Sequence, residues 1–180
     1  MRKTKIISLC LSLIVVLTGC LPESSDKIGQ KAIATLQSLN MSQVSGIVVF
    51  EQLEGKVKVT AKVKGLNPNA KHGFHVHHFG DLSKDDGTKA GGHYNPEGHD
   101  HGLPPSQERH AGSFGNIQTD SAGNAIFSME DETISISGDK NPILGRSVII
   151  HAKEDDGGQP SGNAGKRIAG GVIGLKYIDQ

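Results

Sequence analysis

Residues 56–64, KVKVTAKVK, alternate apolar and polar side chains with period two. Only an extended strand with one buried and one wet face turns that pattern into a clean partition. The same grain runs through much of the chain. KAIATLQ (31–37), VSGIVVFEQ (44–52), GFHVHH (73–78), NAIFSME (124–130), TISISG (133–138), SVIIHA (147–152) and IAGGVIGLKYI (168–178) all read as short strands. LEG (53–55) makes a hairpin connection and GLNPNAK (65–71) is turn chemistry. The sequence shows no long amphipathic helix and no internal repeat. Seven or eight short strands punctuated by turns predict an all-β, antiparallel sandwich or barrel. Two stretches break the pattern: residues 79–124, and AKEDDGGQPSGNAGKR (152–167). Loops longer than about 12–15 residues are uncommon in a compact domain unless they have a task. Both adjoin histidine-bearing strands, so function is expected there.

The N-terminus reads as a leader. A basic MRKTK precedes the apolar IISLCLSLIVVL and the small-residue ending LTGC, a pattern too short and wrongly flanked for a membrane span. LTGC resembles a bacterial lipobox, whose cysteine becomes the lipidated first residue of the mature protein. The expected organisation is a signal peptide over 1–19, lipidated Cys20 with a polar tether over 20–30, and a β domain over 31–180. The protein is thus expected on the extracytoplasmic face of a bacterial membrane, attached through lipid alone. Arg2, Lys3 and Lys5 leave with the leader, so the 19 basic residues fall to 16 against 19 acidic ones. That balance gives no reason to expect nucleic-acid binding. Cys10 and Cys20 are the only cysteines, which leaves the domain without an internal disulfide despite its expected export.

All nine histidines fall between residues 72 and 151. His75 and His77, two apart on one strand, share a face and offer two ligands at little entropic cost. Imidazole suits zinc and copper, and without thiolates the donor chemistry points to borderline divalent metals. His93, His101, His110 and His151 can complete such a shell. His72 and His78 read as polar surface residues.

Six ordered motifs carry a resemblance: GFHVHHFGD, AGGHYNP, ERHAGSFGN, ISISGD, IIHAKEDD and GNAGKRIAGGVIG. From about residue 31 to 175 the chain resembles the copper,zinc superoxide dismutase family, in its compact eukaryotic-like form. The resemblance implies an eight-stranded Greek-key β-sandwich or barrel with two long functional loops. It implies copper held by His75, His77, His93 and His151, and zinc by His93, His101 and His110, with His93 bridging the two ions. Asp155 then matches a carboxylate that hydrogen-bonds one histidine of each site, and Arg167 an arginine that positions the substrate anion. The implied reaction is dismutation of superoxide to oxygen and hydrogen peroxide, with Arg167 and His93 as its catalytic residues. A homodimer is implied too, through regions containing Gly80, Leu144 and Leu175.

The chain departs from that family in three places. Ser113 stands where the family has a zinc-binding aspartate, leaving the fourth donor open between Ser113, Asp100, His99 and water. Where paired cysteines would sit there are LSKDDGTKAGG (82–92) and Gly170 or Gly171, so the family disulfide is absent. The loop between His151 and Arg167 is also shorter than in eukaryotic relatives, leaving Lys153, Lys166 and Arg167 as its positive charges. These departures keep alive an alternative: a copper- and zinc-binding lipoprotein of the same fold with little turnover.

Overall fold

The computed structural model describes residues 27–178. Its strands are β1 (Lys31–Ser38), β2 (Ser45–Leu53), β3 (Lys56–Lys64), β4 (Lys71–His77), β5 (Ser113–Gln118), β6 (Ala125–Asp131), β7 (Ser147–His151), β8 (Arg167–Val172) and β9 (Gly174–Leu175). A short 3-10 helix spans Thr88–Ala90. The ladder runs β5-β4-β7-β8-β1-β2-β3-β6, with β9 added to β1, and every strand pair is antiparallel. β8 and β9 form one strand broken at Ile173, whose N–H and C=O turn to Arg146 and Gly145. Counted so, the barrel has eight strands. The edge strands β5 and β6 pack together and nearly close it. Chain order skips from β3 to β6 and from β4 to β7 in the ladder, the crossing pattern of a Greek key.

The period-two pattern explains the partition. On β3, Val57, Val59, Ala61 and Val63 are buried while Lys58, Lys62 and Lys64 are exposed. Opposing strands send Phe50, Phe74, Phe114, Ile117 and Ile150 into the same core. Phe74 packs against Phe114 and Phe127 at centroid distances of 5.4 and 5.2 Å. Burying each such side chain contributes roughly 1.5–3 kcal/mol.

Three expectations need correction. TISISG is not a strand: its one ladder contact is an isolated bridge from Ser135 to Pro142. Ile134 and Ile136 do alternate into the core, but the Ile136 N–H donates to the Gln52 side chain (2.9 Å). The alternation there records burial, not strand pairing. Conversely, β5 lies inside the stretch read as loop, because Gly115 at φ 74° and a bulge opposite β4 interrupt its pattern. His72 is not a surface residue either. It is fully buried on the same side of β4 as Phe74, and its Nδ1 bonds the backbone oxygen of His151 (2.8 Å). His78 is exposed, as expected.

β4 thereby sets the position of the site. Phe74 and Val76 enter the core, so His75 and His77 point out of the barrel, beneath the two loops. Gly73 lets the second loop lie flat on this face: a Cβ there would come within 2.8 Å of Ala164 Cβ.

Candidate metal centre

β4 supplies His75 and His77, and the end of its neighbour β7 supplies His151. His93 joins them through an isolated bridge to His77. These four histidines form one group and His93, His101 and His110 a second; in each, the ligand atoms lie within 4.8 Å of one another. All six histidines singled out in the sequence are therefore brought together, and His93 is common to both groups.

Hydrogen bonds decide which ring nitrogen faces inward. His77 Nδ1 donates to Gly91 O (3.0 Å) and His151 Nδ1 to Gly165 O (3.1 Å), leaving their Nε2 atoms 3.2 Å apart. Asp155 accepts from Nε2 of His75 (2.7 Å) and of His101 (2.9 Å). The Nδ1 atoms of His75 and His101 are left buried and without a partner. On the other side, His93 Nδ1 lies 3.3 Å from His110 Nδ1. Neither nitrogen of His93 is tied to a protein oxygen among the described residues, so Nε2 is free toward the first group. An oxygen acceptor on one nitrogen fixes the tautomer and presents a lone pair from the other.

Burial and charge favour the neutral form, the one that binds metal, at His75, His77, His93, His110 and His151. Burial, followed by repulsion from facing imidazoles, lowers the pKa of His77, His93 and His151, the last to about 3. Burial also lowers His75, against the opposing pull of Asp155. Burial alone would raise Asp155, but its hydrogen bonds from His101 and His75 prevail and hold it well below the usual carboxylate range. Seven imidazole nitrogens around two foci, with two of them orphaned in the interior, match the donor chemistry of copper and zinc.

Asp155 is singled out from its neighbours by geometry. Glu154 pairs with Lys71 (2.8 Å) on the surface, and Asp156 caps Gly158 and Asn163 within its own loop. Asp155 alone turns inward, its backbone clasped by Asn116 through bonds of 2.8 and 2.9 Å. Gly162 must remain glycine because a Cβ would strike the Asp155 carboxylate, and its φ is +75°.

Arg167 is half-buried at the start of β8. Its Nη1 donates to Gly87 O and its Nη2 to Gly91 O (2.6 Å). It borders a shallow depression also lined by Asn40, Asp86, Thr88, Gly165 and Lys166. Because Gly91 O also receives His77, one carbonyl ties the arginine to the first histidine group. The loop bearing these carbonyls is pinned without a disulfide. Leu39, Ala90 and Ile149 form a small apolar cluster with Leu82 packed on it. Gly170 makes room for them: a Cβ there would lie 2.7 Å from Ile149 Cδ1 and 3.3 Å from Leu82 Cδ1.

Sequence reasoning missed one support of the second group. Arg109, beside His110, is buried with Asp131 (2.5 Å) and also donates to Ser106 O and Ser113 O. Asp131 in turn accepts from the N–H and hydroxyl of Thr133. Nothing local in ERH announces that pairing, since the partner lies 22 residues on. Cys20 lies outside the described residues.

Comparison with known proteins agrees with this geometry. Residues 44–173 match the family described as copper/zinc superoxide dismutase (SODC). The chain is 48% identical over 154 residues to "Superoxide dismutase [Cu-Zn]" of Yarrowia lipolytica, a match covering 81% of this chain and 97% of that protein. It is 44% identical over 154 residues to the protein of that name from Schizosaccharomyces pombe, covering 81% and 97%. A third, from Paramecium bursaria Chlorella virus 1, is 43% identical over 178 residues, covering 94% of this chain and 92% of its own. With the match spanning most of the barrel and relatives covered almost end to end, this chain belongs to the copper/zinc superoxide dismutase family.

Proposed function

We propose that the protein dismutates superoxide as an exported, lipid-anchored enzyme, converting two superoxide ions and two protons into one oxygen and one hydrogen peroxide. His75, His77, His93 and His151 would hold copper, and His93, His101 and His110 zinc. The observation that carries this reading is His93, shared by both histidine groups with each ring nitrogen untied to any protein oxygen among the described residues. Copper supplies the one-electron exchange and zinc a redox-inert positive charge.

The chain's own residues do the rest. Arg167 spends two N–H groups on Gly87 and Gly91 and keeps others of its five for a small anion beside the first group. Those two bonds fix the guanidinium plane before substrate arrives, so little ordering remains to be done on binding. His93 Nε2 is the atom at which a proton can be held between the two half-reactions. Asp155 keeps the rings of His75 and His101 in one tautomer throughout. His75, His77 and His151 are buried, so the first group is largely shielded from water apart from His93 and the side that half-buried Arg167 borders.

Consumption of superoxide by protein reconstituted with copper and zinc tests the reading, with equal free copper as reference. A rate no better than free copper would instead support a metal-binding lipoprotein without turnover. The leader pattern ending in Cys20 supports the extracytoplasmic anchor; radiolabelled fatty acid incorporated by the wild type and not by Cys20→Ser tests it. The homodimer is supported by exposed Phe79 (55%), Leu144 (37%), Val172 (46%) and Leu175 (60%), carried on segments that adjoin one another. Sedimentation equilibrium tests that part.

A further inference from the structure

His93, His101 and His110 offer three imidazoles, and no fourth carboxylate, thiolate or histidine joins them among the described residues. The neighbours that could do so are either bonded elsewhere or turned to solvent. Ser113 is fully buried, yet its Oγ donates to Gly102 O (2.9 Å). Its N–H goes to His110 O and its own carbonyl accepts Arg109 Nε (3.0 Å). Since Arg109 is locked to buried Asp131, Ser113 cannot swing toward the histidines without unpicking that network. His99 turns Nδ1 to Arg109 O (3.2 Å), and Glu97 lies 3.5 Å from the same nitrogen. Asp100 is exposed. Both oxygens of Asp155 are taken by His75, His101 and the N–H of Gly157.

Zinc takes four donors in a closed structural site; three protein donors leave a position for water or another exogenous ligand. Serine in place of a carboxylate also removes a negative charge and the atoms that would have filled that position. We propose that the zinc position of this chain is open at one coordination site, held by water and exchangeable for small monodentate anions such as azide. Ser113 is a brace for the loop between His101 and His110, not a ligand. This rests on the zinc assignment above.

Cobalt(II) in the zinc position makes the site visible, with copper kept in its colourless reduced state. Azide added to the wild-type protein should shift the cobalt d–d bands saturably. Ser113→Ala should leave both the azide response and the cobalt affinity within about twofold. Ser113→Asp should abolish the azide response and tighten the metal at least about tenfold in competition with a chelator, the scale on which even supporting residues act at such sites. A wild-type spectrum indifferent to azide overturns the proposal, since a protein donor must then complete the shell. A tenfold loss of cobalt affinity in Ser113→Ala overturns it too, by making the hydroxyl that donor. Should Ser113→Asp fail to fold, the first two measurements decide alone. Failure of cobalt to bind at all would refute the zinc assignment itself, a different result from binding with an inert spectrum.

Discussion

Replacing Asp155 by asparagine is an isosteric change with a calculable electrical consequence. The carboxylate serves three donors: Nε2 of His75 at 2.7 Å, Nε2 of His101 at 2.9 Å, and the Gly157 N–H at 3.0 Å. All three can be satisfied only because both oxygens accept. An amide offers one oxygen and one NH2, so at least one imidazole finds a donor facing its own N–H. That ring must move its proton to Nδ1, the inward atom that is buried and unpartnered in both His75 and His101. A protonated Nδ1 cannot bind metal. The cost is the loss of one charge-assisted hydrogen bond, about 1.5–3 kcal/mol. Since about 1.4 kcal/mol corresponds to tenfold in affinity, at least one metal should bind roughly 10–100-fold more weakly. Competition with a chromogenic chelator, run separately for copper and zinc, measures this; circular dichroism checks that the barrel persists. If both metals bind Asp155→Asn within twofold of wild type, the tautomer argument fails and with it the role assigned to this carboxylate.

Arg167→Ala should retain both metals yet slow superoxide turnover at low ionic strength by at least about tenfold, from lost local positive potential, an effect of which this enzyme family is itself a standard example. Equal rates would make Arg167 a bystander. His77→Ala should lose copper while keeping a cooperative unfolding transition; unchanged copper stoichiometry contradicts the donor set. Ile149→Ala, in the small cluster beneath the Arg167 loop, should cost about 2–5 kcal/mol in denaturant unfolding. Leu82→Ala, on the loop itself, should chiefly speed hydrogen exchange at residues 79–92, and unaltered exchange would show that the cluster does not pin them. Arg109→Met leaves the buried Asp131 carboxylate with only Thr133 as side-chain partner among the described residues and should destabilise by about 3–5 kcal/mol; a loss below about 1 kcal/mol would show that the pair is dispensable.

The β class and the phase of most strands were legible because alternation is a local property: each residue's side is set by its neighbour's. KVKVTAKVK could be partitioned on sight, and the pairing of His75 with His77 followed from the same rule. That rule also applied to His72, which shares the side of Phe74 and so belongs inside. It misled at TISISG, where two isoleucines alternate into the core while the backbone bonds Gln52 and Asn141 rather than a neighbouring strand. It was silent at β5, where a bulge and Gly115 erase the period. That His93, His101, His110 and His151 could complete a shell with the β4 pair was a reading of donor chemistry, but their division into two groups sharing His93 came from family resemblance, because no local pattern encodes a meeting across so many residues. What tertiary structure alone decided is the facing of each ring. Gly91, Gly165 and Asp155 arrive from three separate stretches to accept one N–H from each histidine they touch. Ser113 shows the same division: its identity was visible as a departure, but its bond to Gly102 exists only once the loop has closed around Arg109 and Asp131. Side-chain type and burial phase are written along the chain, whereas hydrogen-bond partners are chosen by whichever segments the closed barrel brings within about 3 Å.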